Sequence, residues 1–438
     1  MTRHCEARAT RQSTGGHSGP ASGTVLCRRP GTKEPVLTSP HPPAGPRLGE
    51  FVALTALMIS LVALSIDAML PALRAIGDDL GAGGGNRPQL VLSALFLGLA
   101  IAQMLFGPLS DSIGRKPAIY AGMAVFIAGC LLSTMATSFP MMLAGRFLQG
   151  FGAAGPRIAT VALVRDRYDG RAMARIMSLV MGVFILVPAV APALGQGILV
   201  FAHWRAIFGL LLALALTVLV WFALRQPETL APARRARLSP RRIGVAIVEV
   251  VRNRVALGYT LTAGLIFGAF IGFLVSAPQI FQEQYGVGAL FPAYFATLAL
   301  AIGGASVVNA RLVMRLGMRA LSWAALLAKC GLALGFLAIA WGLDGEPPLW
   351  ALMAYLLATF FCLGLLFGNF NALAMEPMGH IAGVAAAVIG SLTTFLSLAL
   401  GTAIGQSYDG TILPLVAGFT ALGAAATLVM HWVEKGRG

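Results

Sequence analysis

GPLSDSIGRK, Gly107 to Lys116, is a short polar loop set between two apolar runs, residues 89–109 and 117–137. Each run is long enough to cross a hydrocarbon core of about 30 Å, which takes roughly 20 helical residues. Within the loop, Gly107 allows close helix packing and Gly114 permits a tight turn. Arg115 and Lys116 favour the inner face of a membrane, and Asp111 is placed to hydrogen-bond a neighbouring helix N-terminus. Outward from this loop the pattern repeats. Twelve spans are predicted, near 51–73, 89–109, 117–137, 140–164, 173–200, 205–224, 257–280, 291–313, 320–342, 348–372, 381–405 and 412–433. The fold class is therefore all-α and polytopic.

The composition demands the same solvent. In this chain of 438 residues, 57% are hydrophobic and 11% charged, with a mean hydropathy of +0.80, more apolar surface than a water-soluble core can bury. Abundant Gly and Ala inside the runs let membrane helices approach closely. With the N-terminus cytoplasmic, all but six of the 32 Lys and Arg residues fall in inside segments. Three exceptions, Arg74, Arg87 and Arg205, lie in outside loops, and three, Arg146, Arg157 and Lys329, lie within spans. This bias orients the chain with both termini inside, and the plasma (bacterial inner) membrane is the expected location. The net charge of +15 then marks loops facing anionic headgroups. It does not mark a nucleic-acid site, because the charges are scattered over loops.

The organisation reads as a disordered cytoplasmic tail (1–50), a six-helix half (51–225), a basic cytoplasmic linker (226–255), a second six-helix half (256–433) and a short cytoplasmic C-terminus (434–438). The tail is rich in Gly, Pro, Ser, Thr and Arg without apolar period. It has no apolar core of the kind a secretory signal needs. No Met lies between Met1 and Met58, and translation from a non-Met codon near Val36 or Leu37 is the alternative reading of this stretch. The linker carries PETL, Pro227 to Leu230, and RRARLSPRR, Arg234 to Arg242. Phe51 and Leu257 open corresponding spans 206 residues apart, and Gly114 and Gly317 close corresponding loops 203 apart. Such an internal repeat places a binding site near the midplane between the halves. Cys5, Cys27, Cys130, Cys330 and Cys362 form no CxxC or metal spacing, so neither disulfide nor metal is expected.

The loop resembles the GxLxDRxGRK signature of the major facilitator superfamily, with Ser112 where that family usually has Arg. The resemblance implies the major facilitator fold, and a loop (Gly107, Asp111, Gly114, Arg115, Lys116) that latches the outward-facing state. A second stretch, RFLQGFGAAG (Arg146 to Gly155), is similar to the RxxQGxGaA signature of proton-coupled members. A third, SIDAMLPAL (Ser65 to Leu73), resembles the xTDMYLPAL pattern of the Bcr/CflA drug:proton antiporter branch, departing from it at Ile66, Ala68 and Met69. VPAVAPALGQ (Val187 to Gln196) matches that branch's PxxAPxxG at Pro188, Ala191, Pro192 and Gly195, where prolines kink a helix. AMEPMGHIAGVAAAVIGS (Ala374 to Ser391) is similar to its lead into the eleventh span.

Asp67 is the only acid in the first three spans. Sixteen residues from Phe51 carry the chain about 24 Å, which puts Asp67 at a depth similar to Arg146. The resemblance implies that both line one cavity, so Asp67 and Arg146 are expected to pair as the proton-coupling site; a static pair fastening two helices is the alternative. Arg157 is expected to snorkel toward the basic loop, and Lys329 has no evident partner. Gln149, Phe270, Phe273, Gln279, Asn369 and Asn371 are candidates for the substrate cavity. The functional expectation is a proton-coupled exporter of small amphipathic drugs working by alternating access, as a monomer in the lipid bilayer. Its runner-up is a proton-coupled carrier of a sugar, amino acid or dipeptide. There is no GxxxxGK[ST] loop for nucleotide, and His4, His17, His41, His203, His380 and His431 are scattered. An enzyme or sensor, and any cofactor, are therefore not expected.

Overall fold

The computed structural model describes residues 26–27, 36–37, 46–236 and 238–435. Most of the expected tail lies outside these residues. Two short strands fall within it, β1 (Leu26–Cys27) and β2 (Val36–Leu37), paired antiparallel with Leu26 opposite Leu37. Both are apolar dipeptides, which the absence of a longer apolar period had concealed. The chain divides into two units between Pro46 and Arg47.

The larger unit is helical. Its elements are α1 (Leu48–Asp67), α2 (Leu73–Asp79), α3 (Leu90–Ile113), α4 (Arg115–Thr134), α5 (Phe139–Arg167), α6 (Gly170–Phe201) and α7 (Arg205–Arg225). Then come α8 (Pro240–Arg252), α9 (Arg254–Pro278), α10 (Phe291–Leu316), α11 (Met318–Gly342), α12 (Leu349–Met375), α13 (Ala382–Gln406) and α14 (Leu413–Lys435). Apart from the short α2 and α8, these helices correspond one to one with the twelve expected spans. The tenth and eleventh are joined through a 3-10 turn, Glu376–Ile381, into one helical stretch of 58 residues. In hydrocarbon a helix satisfies its own backbone, and the hydroxyls inside these spans do likewise. Thr55 donates to Phe51 O, Ser65 to Leu61 O and Thr260 to Ala256 O, each one turn back.

The packing repeats between the halves. In the first, α3 and α4 pack on α5, α1 on α6 and α4 on α7; in the second, α10 and α11 pack on α12, α9 on α13 and α11 on α14. Two helix pairs join the halves, α3 with α13 and α6 with α10. The α3–α13 seam is stitched along its length. Ser391 Oγ donates to Ala100 O (2.7 Å), Gln103 Nε2 to Thr394 Oγ1 (3.1 Å), and the Ser93 and Thr402 hydroxyls meet at 2.8 Å. At one end Asn86 Nδ2 donates to Gln406 O and Tyr408 O. Close approach needs glycine: a Cβ on Gly150 would stand 1.9 Å from Leu95 O, where α5 crosses α3.

The basic stretch between the halves contains α8, a 13-residue amphipathic helix. Ile243, Ala246, Ile247 and Val250 recur at helical spacing, but the surrounding arginines mask the period in a hydropathy reading.

Candidate functional site

Helix α1 stops at Asp67, and the chain continues through a 3-10 turn, Leu70–Ala72, with Pro71 at its start. The break leaves last-turn carbonyls without an intrahelical donor. Arg146 supplies one. Fully buried on α5, its Nη2 donates to Ser65 O at 2.8 Å, its Nε to Val91 O on α3 at 3.3 Å, and its Nη1 to Gln149 Oε1 at 2.5 Å. The guanidinium also lies 5.7 Å from the Phe208 ring of α7. One side chain thus ties α1, α3 and α5 together and caps the negative end of α1.

The expected Asp67–Arg146 ion pair is not formed. Asp67 is buried, 4% exposed, and among the described residues no hydrogen bond or ion pair reaches its carboxyl. The reason is geometric: with α1 broken at this level, the Arg146 guanidinium donates to the Ser65 carbonyl two residues before Asp67, and its other donors go to Val91 O and Gln149 Oε1. The turn is pressed from the other side by α6. A Cβ on Gly195 would stand 1.8 Å from Ala68 O, and Ala191 and Pro192 are buried beside it. Helix α6 continues through Pro188 and Pro192, and within its signature Gly195 is the residue that meets the Asp67 turn.

The 107–116 loop builds a second cluster. Gly114, at φ +112°, separates α3 from α4. Arg115 reaches back to Asp111 Oδ1 (2.5 Å) and Ser110 Oγ (3.0 Å), and across to Asp166 Oδ2 on α5 (2.8 Å). Glu228, from PETL, accepts from the Arg115 and Lys116 backbone amides at 3.1 and 3.0 Å, capping α4. Asp111 also stands at the start of α13, where a Cβ on Gly383 would be 3.6 Å from its Oδ2, and Gly107 packs against Ala387. Sequence reasoning missed Asp166 and Glu228. Glu228 had a signal, an acid directly after a proline that ends a span.

The cavity candidates scatter. Gln149 is sealed in, bonded to Arg146 and Cys130. Phe273 is buried against Phe360, Phe281 and Phe295, whereas half-buried Phe270 stacks on Phe267. Asn369 exchanges hydrogen bonds with Asn309 of α10, and Asn371 is exposed. Gln279 bonds Asn86 Oδ1 at 3.0 Å and lines a cavity of about 450 Å³ at the end of the bundle, with Arg74, Asp78, Glu283 and Tyr408. Lys329 is buried, its Nζ 5.0 Å from the Phe419 ring. Arg157 is half-buried with no ion pair among the described residues.

Two repeated six-helix halves, joined by paired seams and holding buried ionisable side chains between helices, define a multi-pass membrane transporter. The family described as Major Facilitator Superfamily matches residues 55–402, and the chain belongs to it. Over 91% of its length it is 30% identical to "Uncharacterized MFS-type transporter YdgK" of Bacillus subtilis, covering 98% of that protein. It is 29% identical to the "Bicyclomycin resistance protein homolog" of Haemophilus influenzae, over 84% of this chain and 91% of the relative. Relatives so named support the Bcr/CflA drug:proton antiporter branch. Among solved structures, the xylose transporter XylE from E. coli superposes with a TM-score of 0.69 at 12% identity, over 88% of this chain and 97% of that one. The human organic anion transporter MFSD10 does so at 0.68 and 20%, over 89% and 100%. Both share the fold.

Proposed function

We propose that this transporter exports small amphipathic drugs in exchange for protons, with Asp67 as the proton-carrying group. The observation that carries this reading is the isolation of Asp67: a carboxyl buried at a helix break, pressed by α6 and left without a polar partner among the described residues. Intramembrane acids of this kind mark proton relays. Arg146 is the positioning residue, holding the α1 end so that the carboxyl stays at the junction of α1, α5 and α6. The relatives named for bicyclomycin and multidrug resistance support a drug as substrate. The basic end of the bundle, carrying α8 and the 107–116 loop, is the cytoplasmic end in this reading. A proton entering down the membrane potential supplies about 2.3 kcal/mol per 100 mV, enough to drive export without nucleotide.

The test uses proteoliposomes loaded with a fluorescent cationic dye under an imposed pH gradient. Asp67→Asn should insert and fold like the parent and lose gradient-driven dye movement. Unchanged gradient-driven transport by Asp67→Asn would remove this carboxyl from the mechanism, and a parent that moves sugars or amino acids but no dye would favour a metabolite carrier.

A further inference from the structure

We propose that α8 is a lipid-binding element: Arg241 and Arg252 hold the headgroups of anionic phospholipids of the cytoplasmic leaflet, with Val245 and Val248 seated among the upper acyl carbons between them. Its position at membrane level follows from its connection. A single residue, Asn253, separates α8 from α9; it is the C-cap of one, and its Oδ1 accepts from Val255 N (3.1 Å) and Ala256 N (3.0 Å) at the start of the other. The next residue, Arg254, lies 4.7 Å from the ring of Trp432 and donates to the Trp432 carbonyl. An arginine and a tryptophan together at a helix end mark the bilayer interface. With no spacer, the C-terminal end of α8 is held at that level, and the Glu249–His380 contact keeps the helix beside the start of α13.

The two faces of α8 divide the work. Ala246 and Val250 are buried where the helix packs on α9 and α13. Arg241, Val245, Val248 and Arg252 stand at i, i+4, i+7 and i+11, one stripe of a helix, and that stripe points away from the protein. Val245 is 57% and Val248 48% exposed, and the stripe lines a shallow groove. Eleven residues separate the arginines, about 16 Å, a span that brackets adjacent lipids. Among the described residues neither arginine has an ion-pair partner. The acid on α8, Glu249, is engaged by His380 Nε2 at 2.5 Å. An apolar stripe with cations at both ends is complementary to an anionic lipid surface.

The experiment places an environment-sensitive fluorophore at Val248→Cys in the full chain with its other cysteines replaced, reconstituted in phosphatidylcholine bilayers containing either brominated phosphatidylglycerol or brominated phosphatidylcholine. Bromine quenching should be stronger from phosphatidylglycerol. Arg241→Gln and Arg252→Gln, both exposed, should each reduce that preference by about fivefold, the factor that corresponds to roughly 1 kcal/mol per surface arginine. A fluorophore unquenched by either lipid would show that the stripe faces water or protein. Equal quenching by the two lipids, unaltered by the arginine substitutions, would show apolar contact without headgroup selection. Either result overturns the proposal, and neither bears on whether Asp67 carries protons.

Discussion

Replacing Gly195 by alanine adds one carbon where α6 meets the end of α1, and the structure sets the size of the consequence. That Cβ would lie 1.8 Å from Ala68 O, a backbone atom that no rotamer can move aside. Restoring ordinary contact at 3.4 Å requires the two helices to separate by about 1.6 Å at this level. Overpacking of this kind typically costs about 1–3 kcal/mol, and here it also shifts the turn that presents Asp67. Gly197, two residues on in the same helix, has nothing within 4 Å of its would-be Cβ. It is the matched control, since alanine there adds the same atom at no contact and should be neutral or slightly stabilising. Thermal denaturation of purified protein, read by aggregation or intrinsic fluorescence, should show a lowered midpoint for Gly195→Ala and none for Gly197→Ala. Gradient-driven transport should fall only in the first. Parental stability and transport in Gly195→Ala would refute the close approach of α6 to the Asp67 turn, and so would equal damage from both variants, because alanine raises helix propensity at either position and only a contact can make it harmful.

Further outcomes follow from the two clusters. Arg146→Lys should impair transport and stability, because an ammonium cannot span Ser65 O, Val91 O and Gln149 as the guanidinium fork does; Arg157→Lys should be nearly silent in the same assays. Glu228→Ala should loosen the start of α4 by about 1.5–3 kcal/mol, the range for hydrogen bonds to a charged acceptor, detected as faster cysteine labelling near Lys116. Asp111→Asn should alter the two-state balance by about 0.3–2 kcal/mol, the worth of an acid at a helix N-terminus. Turnover should then slow and inward-facing accessibility rise with substrate affinity kept within a few-fold; a parental labelling pattern with reduced turnover would refute the latch.

Hydropathy and charge were sufficient to read the membrane class, the twelve spans and the two-half repeat, because each of those depends on a local property. A helix in hydrocarbon must satisfy its own backbone, so every apolar run of sufficient length becomes one, whatever its neighbours. The signatures around Asp111, Arg146 and Gly195 likewise marked residues that the fold uses. Their partners were another matter. Opposite charge at equal depth suggested Asp67 for Arg146, yet only the tertiary structure shows α1 breaking at Asp67 and offering the Ser65 carbonyl. Only the folded chain brings Glu228, 112 residues beyond Lys116, onto the start of α4. The same holds for Gln149 and Phe273, whose polar or aromatic character suggested a cavity while packing closed them in. Composition determines where a segment sits relative to the bilayer, whereas the partner of a buried polar group is whatever acceptor the crossing helices bring within about 3 Å, a distance set by packing across the whole bundle.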